Sequence, residues 1–281
     1  MRPNTIALTM AAMVAFAANS VLCRLALGAG LIDAASFATV RTVAGAVILG
    51  VILLLRPDKA EAKPDWRSIL TLYLYMVFFA FAYLSLSAGT GALVLFGAVQ
   101  LTMFIVALRS GEHFSPASWA GLVLAITGLV YLVSPGVTAP DPLGAGLMAV
   151  AGVAWGFYSL VGRSAGDPTE ATAWNFIYAV PLVVVTSLVF IGDIHVSPAG
   201  AGYAVASGAI ASGIGYVIWY AALRGLTATS AATVQLSVPV IAAIGGVILM
   251  SEEVTLRLVV ASVATLGGVA LVLTQRNRKR G

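Results

Sequence analysis

The chain has 281 residues, of which 60% are hydrophobic and only 9% are charged, and its mean hydropathy is +1.00. A water-soluble protein of this size does not need so apolar a composition, so a soluble globular protein is excluded and a membrane is the expected solvent. The net charge of +4 does not indicate nucleic-acid binding, because the cations sort by predicted membrane side, including a basic tail at 275–280, and are not arranged as a nucleic-acid-binding patch.

Apolar stretches of about twenty residues recur along the chain, the length at which a helix crosses a hydrocarbon core of about 30 Å. The first half has predicted membrane helices at 6–28, 35–55, 66–87, 92–108 and 116–133, with a tight turn at 88–91. The second half has them at 143–162, 171–191, 199–223, 227–250 and 256–274. The fold class is therefore an all-α integral membrane protein with ten transmembrane helices.

The two halves resemble one another in sequence. Glu112 and Gly128 match Glu252 and Gly268 at a spacing of 140 residues, and the triplet around Gln100 matches the one around Gln235 at a spacing of 135. We therefore predict two repeats of five helices, at 1–137 and 138–281. Five is an odd number, so the second repeat enters the membrane in the opposite direction and the repeats are inverted.

The distribution of cations tests this topology. If the amino terminus is inside the cell, twelve of the fifteen cations lie in cytoplasmic segments, as the positive-inside rule requires. Both termini are therefore predicted to be cytoplasmic. The twelve cations are Arg2, Arg56, Lys59, Lys63, Arg67, Arg109, Arg163, Arg224, Arg276, Arg278, Lys279 and Arg280.

Acidic residues and histidines fall only in predicted loops or at helix ends. The catalytic centre of an intramembrane enzyme or metalloenzyme needs a cluster of such groups, and a proton pump needs a buried relay. We therefore expect no catalysis, cofactor or metal, and we expect facilitated diffusion of a substrate. The residues are Asp33, Asp58, Glu61, Asp65, Glu112, His113, Asp141, Asp167, Glu170, Asp193, His195, Glu252 and Glu253.

Uncharged polar and aromatic side chains remain near the middle of the predicted helices. Because buried polar groups need partners, they either bond between helices or face a wet cavity. For Gln100 and Gln235 we favour a position facing the cavity, because they recur at matching places in both repeats. The aromatic faces at Tyr75, Phe79 and Tyr83 fit a planar ligand or ordinary packing equally well. Trp155 shares a helix face with Tyr158 and Ser159. The other polar candidates are Asn19, Tyr158, Ser159, Ser212 and Tyr216.

Arg41 is the only charge predicted inside a membrane helix. Snorkelling outward, bonding to a neighbouring helix and capture of a substrate carboxylate are all open to it. Pro181 and Pro239 lie inside predicted helices, where each removes a backbone hydrogen bond and can act as a hinge. Glu112 and Glu252 are expected to cap short loops. The residues expected in the interfacial belt are Trp66, Trp119, Trp219 and Tyr220.

The segment 234–252 combines a proline at 239, small residues and a terminal glutamate, and it resembles the ninth helix of the drug/metabolite transporter superfamily, EamA-like branch. Arg41 matches the arginine of the second helix of that family. The aromatic third helix and the segment 98–103 are most similar to the YddG-type exporters of aromatic amino acids. Thr102 stands where the fourth helix of the family often has proline, and this helix looks shortened.

The resemblance implies a multi-pass protein of the bacterial inner membrane. It also implies a central cavity that opens alternately to either side of the membrane. Its partners would be an amino acid and the lipid bilayer, with no nucleic acid, and the chain would act as a monomer. Efflux of organic cations or drugs, possibly coupled to protons, is the alternative function. The substrate-binding residues implied by position are Asn19, Phe79, Tyr83, Gln100, Trp155, Tyr158, Ser159, Tyr216 and Gln235.

Overall fold

The computed structural model of the chain describes residues 3–56, 64–162, 166–226 and 228–278. The elements within these residues are helices, and the one β-bridge among them, between Ile32 and Val196, is isolated. The all-α prediction is confirmed for this part of the chain. The helices are α1 (Pro3–Gly28), α2 (Ala34–Leu54), α3 (Trp66–Ala82), α4 (Ala88–Arg109), α5 (Pro116–Val133), α6 (Pro142–Val161), α7 (Pro168–Val189), α8 (Pro198–Val205), a π-helical segment (Ala206–Ile214), α9 (Gly215–Leu223), α10 (Ala228–Gln235), α11 (Val238–Met250) and α12 (Leu256–Arg278).

Nine helical stretches among the described residues are long and apolar enough to cross a membrane. One of them, Pro198–Leu223, contains α8, the π-helical segment and α9, and another, Ser230–Met250, contains most of α10 and all of α11. The remaining apolar helix, α3, has 17 residues and is shorter than the others. Together these stretches account for the ten predicted membrane helices.

Polar side chains start most of these helices. At seven helix starts, a serine or aspartate side chain accepts a hydrogen bond from a backbone N–H of the first turn, and proline follows directly at four of them. This capping explains why so many acidic residues lie at helix ends. The capping residues are Asp33, Asp65, Ser87, Ser115, Asp141, Asp167 and Ser197.

The turn predicted at 88–91 is wrong, because these residues form the first turn of α4. The chain reverses earlier, after α3 ends at Ala82, and α4 has 22 residues and is not shortened. Gly89 and Gly91 serve packing. A Cβ atom on Gly91 would lie 2.5 Å from the ring of Tyr83, and one on Gly89 would lie 2.7 Å from the Cβ atom of Ala243.

Two predicted membrane helices are interrupted. The eighth contains the π-helical segment, and the ninth breaks at Leu236 and Ser237, so that Pro239 is the second residue of the restarted helix. Proline has no N–H to donate to the carbonyl of Gln235, so the helix restarts at Val238. Pro239 therefore stands at a real discontinuity, whereas Pro181 lies within the continuous helix α7.

The helices pack through small residues. The main contacts join α5 to α12, α3 to α6, α2 to α7, and α4 to α6. A Cβ atom on Gly121 would lie 2.6 Å from the carbonyl oxygen of Gly268, and a Cβ atom on Gly208 would overlap the carbonyl oxygen of Arg41. These glycines let the helix backbones approach closely.

The predicted interfacial belt is only partly present. Trp66 and Trp119 are exposed, but Trp219 is 8% exposed and its ring meets Phe16, so the prediction for Trp219 is wrong. Tyr220 hydrogen bonds to Thr172. Several cations used for the topology lie outside the described residues: Arg2, Lys59, Lys63, Arg163, Lys279 and Arg280.

Candidate functional site

A small cavity lies between α1, α3, α4, α6 and α9. Its volume is about 20 Å³, room for about one water molecule. Four of the nine predicted site residues line it, namely Asn19, Phe79, Trp155 and Tyr216. The complete lining is Phe16, Asn19, Ser20, Tyr75, Phe79, Leu95, Phe96, Trp155 and Tyr216.

Aromatic rings form most of the cavity wall. Trp155 stacks on Tyr216 with a centroid separation of 5.4 Å and an interplanar angle of 24°. Tyr75 is 4.8 Å from Trp155, and Phe79 is 5.3 Å from Tyr75. The result is a continuous apolar surface that fits a flat, hydrophobic group.

Three further predicted residues support this wall from behind. Tyr83 meets Phe79 edge-on at 4.9 Å and donates a hydrogen bond to the carbonyl of Ala88. Tyr158 stacks on Trp155 at 5.2 Å. The hydroxyl of Ser159 donates to the carbonyl of Trp155 at 2.8 Å. In this conformation these residues position the cavity wall and do not line it.

The two glutamines lie away from the cavity. The side chain of Gln235 donates to the carbonyl of Ala231 in its own helix at 3.2 Å. Gln100 is half-buried on α4 and is not part of the lining. The proposal that this pair binds substrate is therefore a prediction about another conformation.

A polar network borders the aromatic wall. Asn19 accepts hydrogen bonds at its Oδ1 from the hydroxyls of Ser207 at 2.8 Å and Ser212 at 3.1 Å. These serines lie five residues apart in the π-helical segment, whose i to i+5 pattern brings both to the side of Asn19. Ser207 is not among the predicted residues, because nothing in the sequence signals a π-helix there. Phe16 is also not among them, although it lies three residues before Asn19 and so shares its helix face.

Arg41 extends this network and is completely buried, with 0% exposure, so snorkelling is excluded. Its Nη2 donates to the Tyr75 hydroxyl at 3.0 Å and to Ser212 at 3.3 Å. Its Cζ lies 4.7 Å from the centre of the Phe79 ring. The expected bonding to neighbouring helices is thus present, and its partners include two residues of the cavity wall.

A second charged cluster closes one end of the bundle. Arg24 lies one turn beyond Ser20 on α1, and its Nε is 3.1 Å from a carboxylate oxygen of Glu252. The other oxygen of Glu252 accepts a hydrogen bond from the N–H of Ala88 at 2.9 Å. Arg24 also donates to the carbonyls of Tyr83 and Leu84. Glu252 therefore caps α4, a distant helix, and ties α1, α3 and α4 together beyond the cavity.

Two aspartates fix loops by accepting hydrogen bonds. Burial opposes ionisation of Asp33, but hydrogen bonds from the backbone of His195 and from Ser36 outweigh it, so the pKa of Asp33 is lower than usual. The pKa of Asp141 is lowered by hydrogen bonds from the backbone N–H of Gly144 and from the hydroxyl of Ser85. Both carboxylates are therefore structural.

A larger groove of about 330 Å³ lies between α11 and α12, near Gly89. Its walls are almost entirely aliphatic and include Ile248 and Val263, which are 72% and 70% exposed. Such a surface suits lipid chains and offers nothing to a zwitterion or an ion. The smaller central cavity is therefore the candidate site.

The chemistry of the central cavity is that of binding. Its lining contains aromatic and aliphatic side chains, an amide and hydroxyls, but no carboxylate, histidine or thiol. Within the described part of the chain, no three such groups are placed to hold a metal ion. The cavity offers a hydrophobic face and a polar edge to a small amphiphilic molecule.

Comparison with known proteins gives consistent matches. The sequence matches the EamA-like transporter family twice, over residues 4–134 and 142–274. It is 48% identical to an uncharacterized protein of Pseudomonas aeruginosa over 97% of this chain and 96% of that protein. It is 27% identical to an uncharacterized transporter of Archaeoglobus fulgidus over 68% of this chain and 72% of that protein. A crystal structure with 21% identity superposes with a TM-score of 0.67, covering 95% of this chain and 97% of that one, and shares the fold.

Proposed function

The chain belongs to the EamA-like transporter family, whose members are membrane transporters and not enzymes, and on this basis we propose that it exports amino acids with aromatic or other hydrophobic side chains. The export crosses the bacterial inner membrane by facilitated diffusion. The central observation is the wall of stacked rings around Trp155, which stands beside the polar edge at Asn19. An amino acid has the same two-sided character, with an apolar side chain and a hydrogen-bonding zwitterion.

Alternating access fits the size of the cavity. A space of about 20 Å³ cannot hold an amino acid, so the walls must separate for the substrate to enter. The break before Pro239 gives α10 and α11 a place to move relative to each other. Closure by Arg24 and Glu252 at one end of the bundle is consistent with a state that opens at the other end.

Two inverted repeats, 1–137 and 138–281, with both termini in the cytoplasm, complete the proposed architecture. The two separate family matches support it. So does the packing, since α1 contacts the region of α8 and α9 while α3 contacts α6, which is the same contact with the halves exchanged. In such a transporter, the halves rock around a site at the middle of the membrane.

Transport of L-phenylalanine into proteoliposomes without a proton gradient tests the proposal. We expect uptake by exchange with unlabelled substrate on the other side. Trp155→Ala should lower the rate by about tenfold because it removes the stacked wall. Trp119→Ala is the matched control, because Trp119 lies on α5 away from the cavity.

Three results would contradict the proposal. Absence of uptake for hydrophobic amino acids would reject the substrate, and uptake only with an imposed proton gradient would reject facilitated diffusion. Competition by a methyl-viologen-like cation would favour the alternative of cation efflux. Gln100→Ala and Gln235→Ala should also slow transport without loss of folding, and an unchanged rate would remove these residues from the site.

A further inference from the structure

Arg41 carries a charge that the described protein does not neutralise. Its side chain is completely buried. The ion pairs Arg24–Glu252 and Arg56–Asp167 involve other arginines, and among the described residues the hydrogen bonds of Arg41 go to hydroxyls and not to a carboxylate. A buried cation without a counter-ion is unfavourable, and inside a membrane bundle it marks a functional site.

The guanidinium also has unused hydrogen-bonding capacity. Only Nη2 is bonded, to the hydroxyls of Tyr75 and Ser212. The Nε and Nη1 atoms are buried and have no hydrogen-bond partner. Together these atoms carry three N–H bonds, and an arginine binds carboxylates through such donors.

Arg41 lies directly behind the cavity wall. Phe79 and Tyr75 line the cavity, and the Cζ atom of Arg41 is 4.7 Å and 5.3 Å from the centres of their rings. Asn19 also lines the cavity and is linked to Arg41 through Ser212. The rings of Phe79 and Tyr75 therefore contact the guanidinium and also line the cavity.

We propose that Arg41 binds the carboxylate of the transported molecule, which makes a carboxylate the required feature of the substrate. This inference rests on the proposed transport function and specifies its substrate class. The carboxylate accepts a hydrogen bond from one of the free donors of Arg41, at Nε or at Nη1, and the hydrophobic group lies along the rings of Trp155 and Tyr216. The closed state keeps the cation ready through Tyr75 and Ser212, which hold Nη2.

Competition with three analogues in wild-type proteoliposomes tests the requirement for a carboxylate. The analogues are 3-phenylpropionate, which has only the carboxylate, 2-phenylethylamine, which has only the amine, and phenylalaninamide. We expect 3-phenylpropionate to inhibit uptake of L-phenylalanine and the other two to inhibit it at least about tenfold less, since a charge-assisted hydrogen bond contributes that much. Equal inhibition by the amine would overturn the inference.

Variants then assign the requirement to Arg41. Arg41→Gln should remove the discrimination between 3-phenylpropionate and 2-phenylethylamine, whereas Arg41→Lys, which keeps the charge, should retain part of it. Arg67→Gln is the control, because Arg67 is an exposed arginine at the start of α3. Full discrimination in a folded Arg41→Gln protein would overturn the inference. If Arg41→Gln does not fold, the wild-type and Arg41→Lys measurements still decide.

The two proposals fail in different ways. If L-phenylalanine is transported but its carboxylate does not matter, only the assignment of Arg41 fails. If L-phenylalanine is not transported but 3-phenylpropionate is, and Arg41→Lys weakens that transport, the amino acid proposal fails and the role of Arg41 stands. If neither compound is transported, both proposals are rejected.

Discussion

Two arginines of this protein have opposite surroundings. Arg24, at the end of α1, has the carboxylate of Glu252 at 3.1 Å and donates to two backbone carbonyls. Arg41, inside α2, is more deeply buried, yet its partners are two hydroxyls and two aromatic rings. The less buried cation has the stronger protein partner.

The difference indicates that the two arginines have different roles in the protein. Around Arg24, charges and backbone groups satisfy one another and join loops that are far apart in sequence, which stabilises one end of the bundle. Around Arg41, protein partners hold the cation in place but leave two nitrogen atoms unbonded. A charged group whose hydrogen bonds are all made within the protein is not stabilised further by a ligand. A charged group with unbonded donors is stabilised when a ligand accepts hydrogen bonds from them.

Gly208→Ala should have the largest effect, and it acts on the Arg41 region alone. A Cβ atom at residue 208 would overlap the carbonyl oxygen of Arg41 and push the π-helical segment, with Ser207 and Ser212, away from α2. We expect the free energy of unfolding to fall by about 3 kcal/mol. Thermal unfolding in detergent measures this change.

Gly202→Ala on α8 is the matched control, because a Cβ atom there has no neighbour within 4 Å. The control should be at least as stable as the wild type, since alanine favours the helix. If Gly208→Ala unfolds at the wild-type temperature, the close contact between the π-helical segment and α2 is not needed to hold the network.

Glu252→Gln should have an intermediate effect, confined to the Arg24 region. It removes the ion pair with Arg24 and weakens the cap on α4, where the carboxylate accepts from the N–H of Ala88. We expect a loss of about 2 kcal/mol, because the side chain of Glu252 is only 14% exposed. Arg24→Gln should cost less in this background than in the wild type, since the ion pair is already lost and only the hydrogen bonds to the carbonyls of Tyr83 and Leu84 remain to be removed.

Asp167→Asn provides the comparison, because the pair between Arg56 and Asp167 is 33% and 30% exposed and asparagine can still cap α7. Its cost should be below about 1 kcal/mol. Equal losses in Glu252→Gln and Asp167→Asn would show that the Arg24 cluster is no more than a surface ion pair.

The sequence predicts the helices well where end signals are local. Asp141 followed by proline marks the start of α6, and similar pairs mark α5, α7 and α8. The prediction of a turn at 88–91 is wrong because glycine occurs both in turns and at close contacts between helices. Here Gly91 makes room for the ring of Tyr83. The interfacial prediction for Trp219 failed because the sequence does not show which helix face it occupies.

The site is less predictable than the helices. Asn19, Phe79, Trp155 and Tyr216 could be found because polar or aromatic side chains near the middle of a membrane helix are conspicuous. The link between Asn19 and Arg41 could not, because it depends on a π-helical segment whose small residues favour no particular hydrogen-bond register. Contacts between helices distant in sequence decide that part of the structure.

The smallest expected effect concerns the loops at Asp33 and depends on pH. The pKa of Asp33 is lower in the folded protein than its ordinary value of 3.8, so its ionised form stabilises the fold above that pH. This contribution is lost as the pH falls through the lower folded pKa. Asp33→Asn can still cap α2 and cannot ionise, so its stability should change less than that of the wild type between about pH 5 and pH 3.

Unfolding temperatures across this range measure the difference, with Asp193→Asn, an exposed change in the neighbouring loop, as the control. If the curves of wild type and Asp33→Asn are parallel, the hydrogen bonds from His195 and Ser36 do not depend on the charge of Asp33, and carboxylates matter to this protein at the Arg24 cluster but not at this loop.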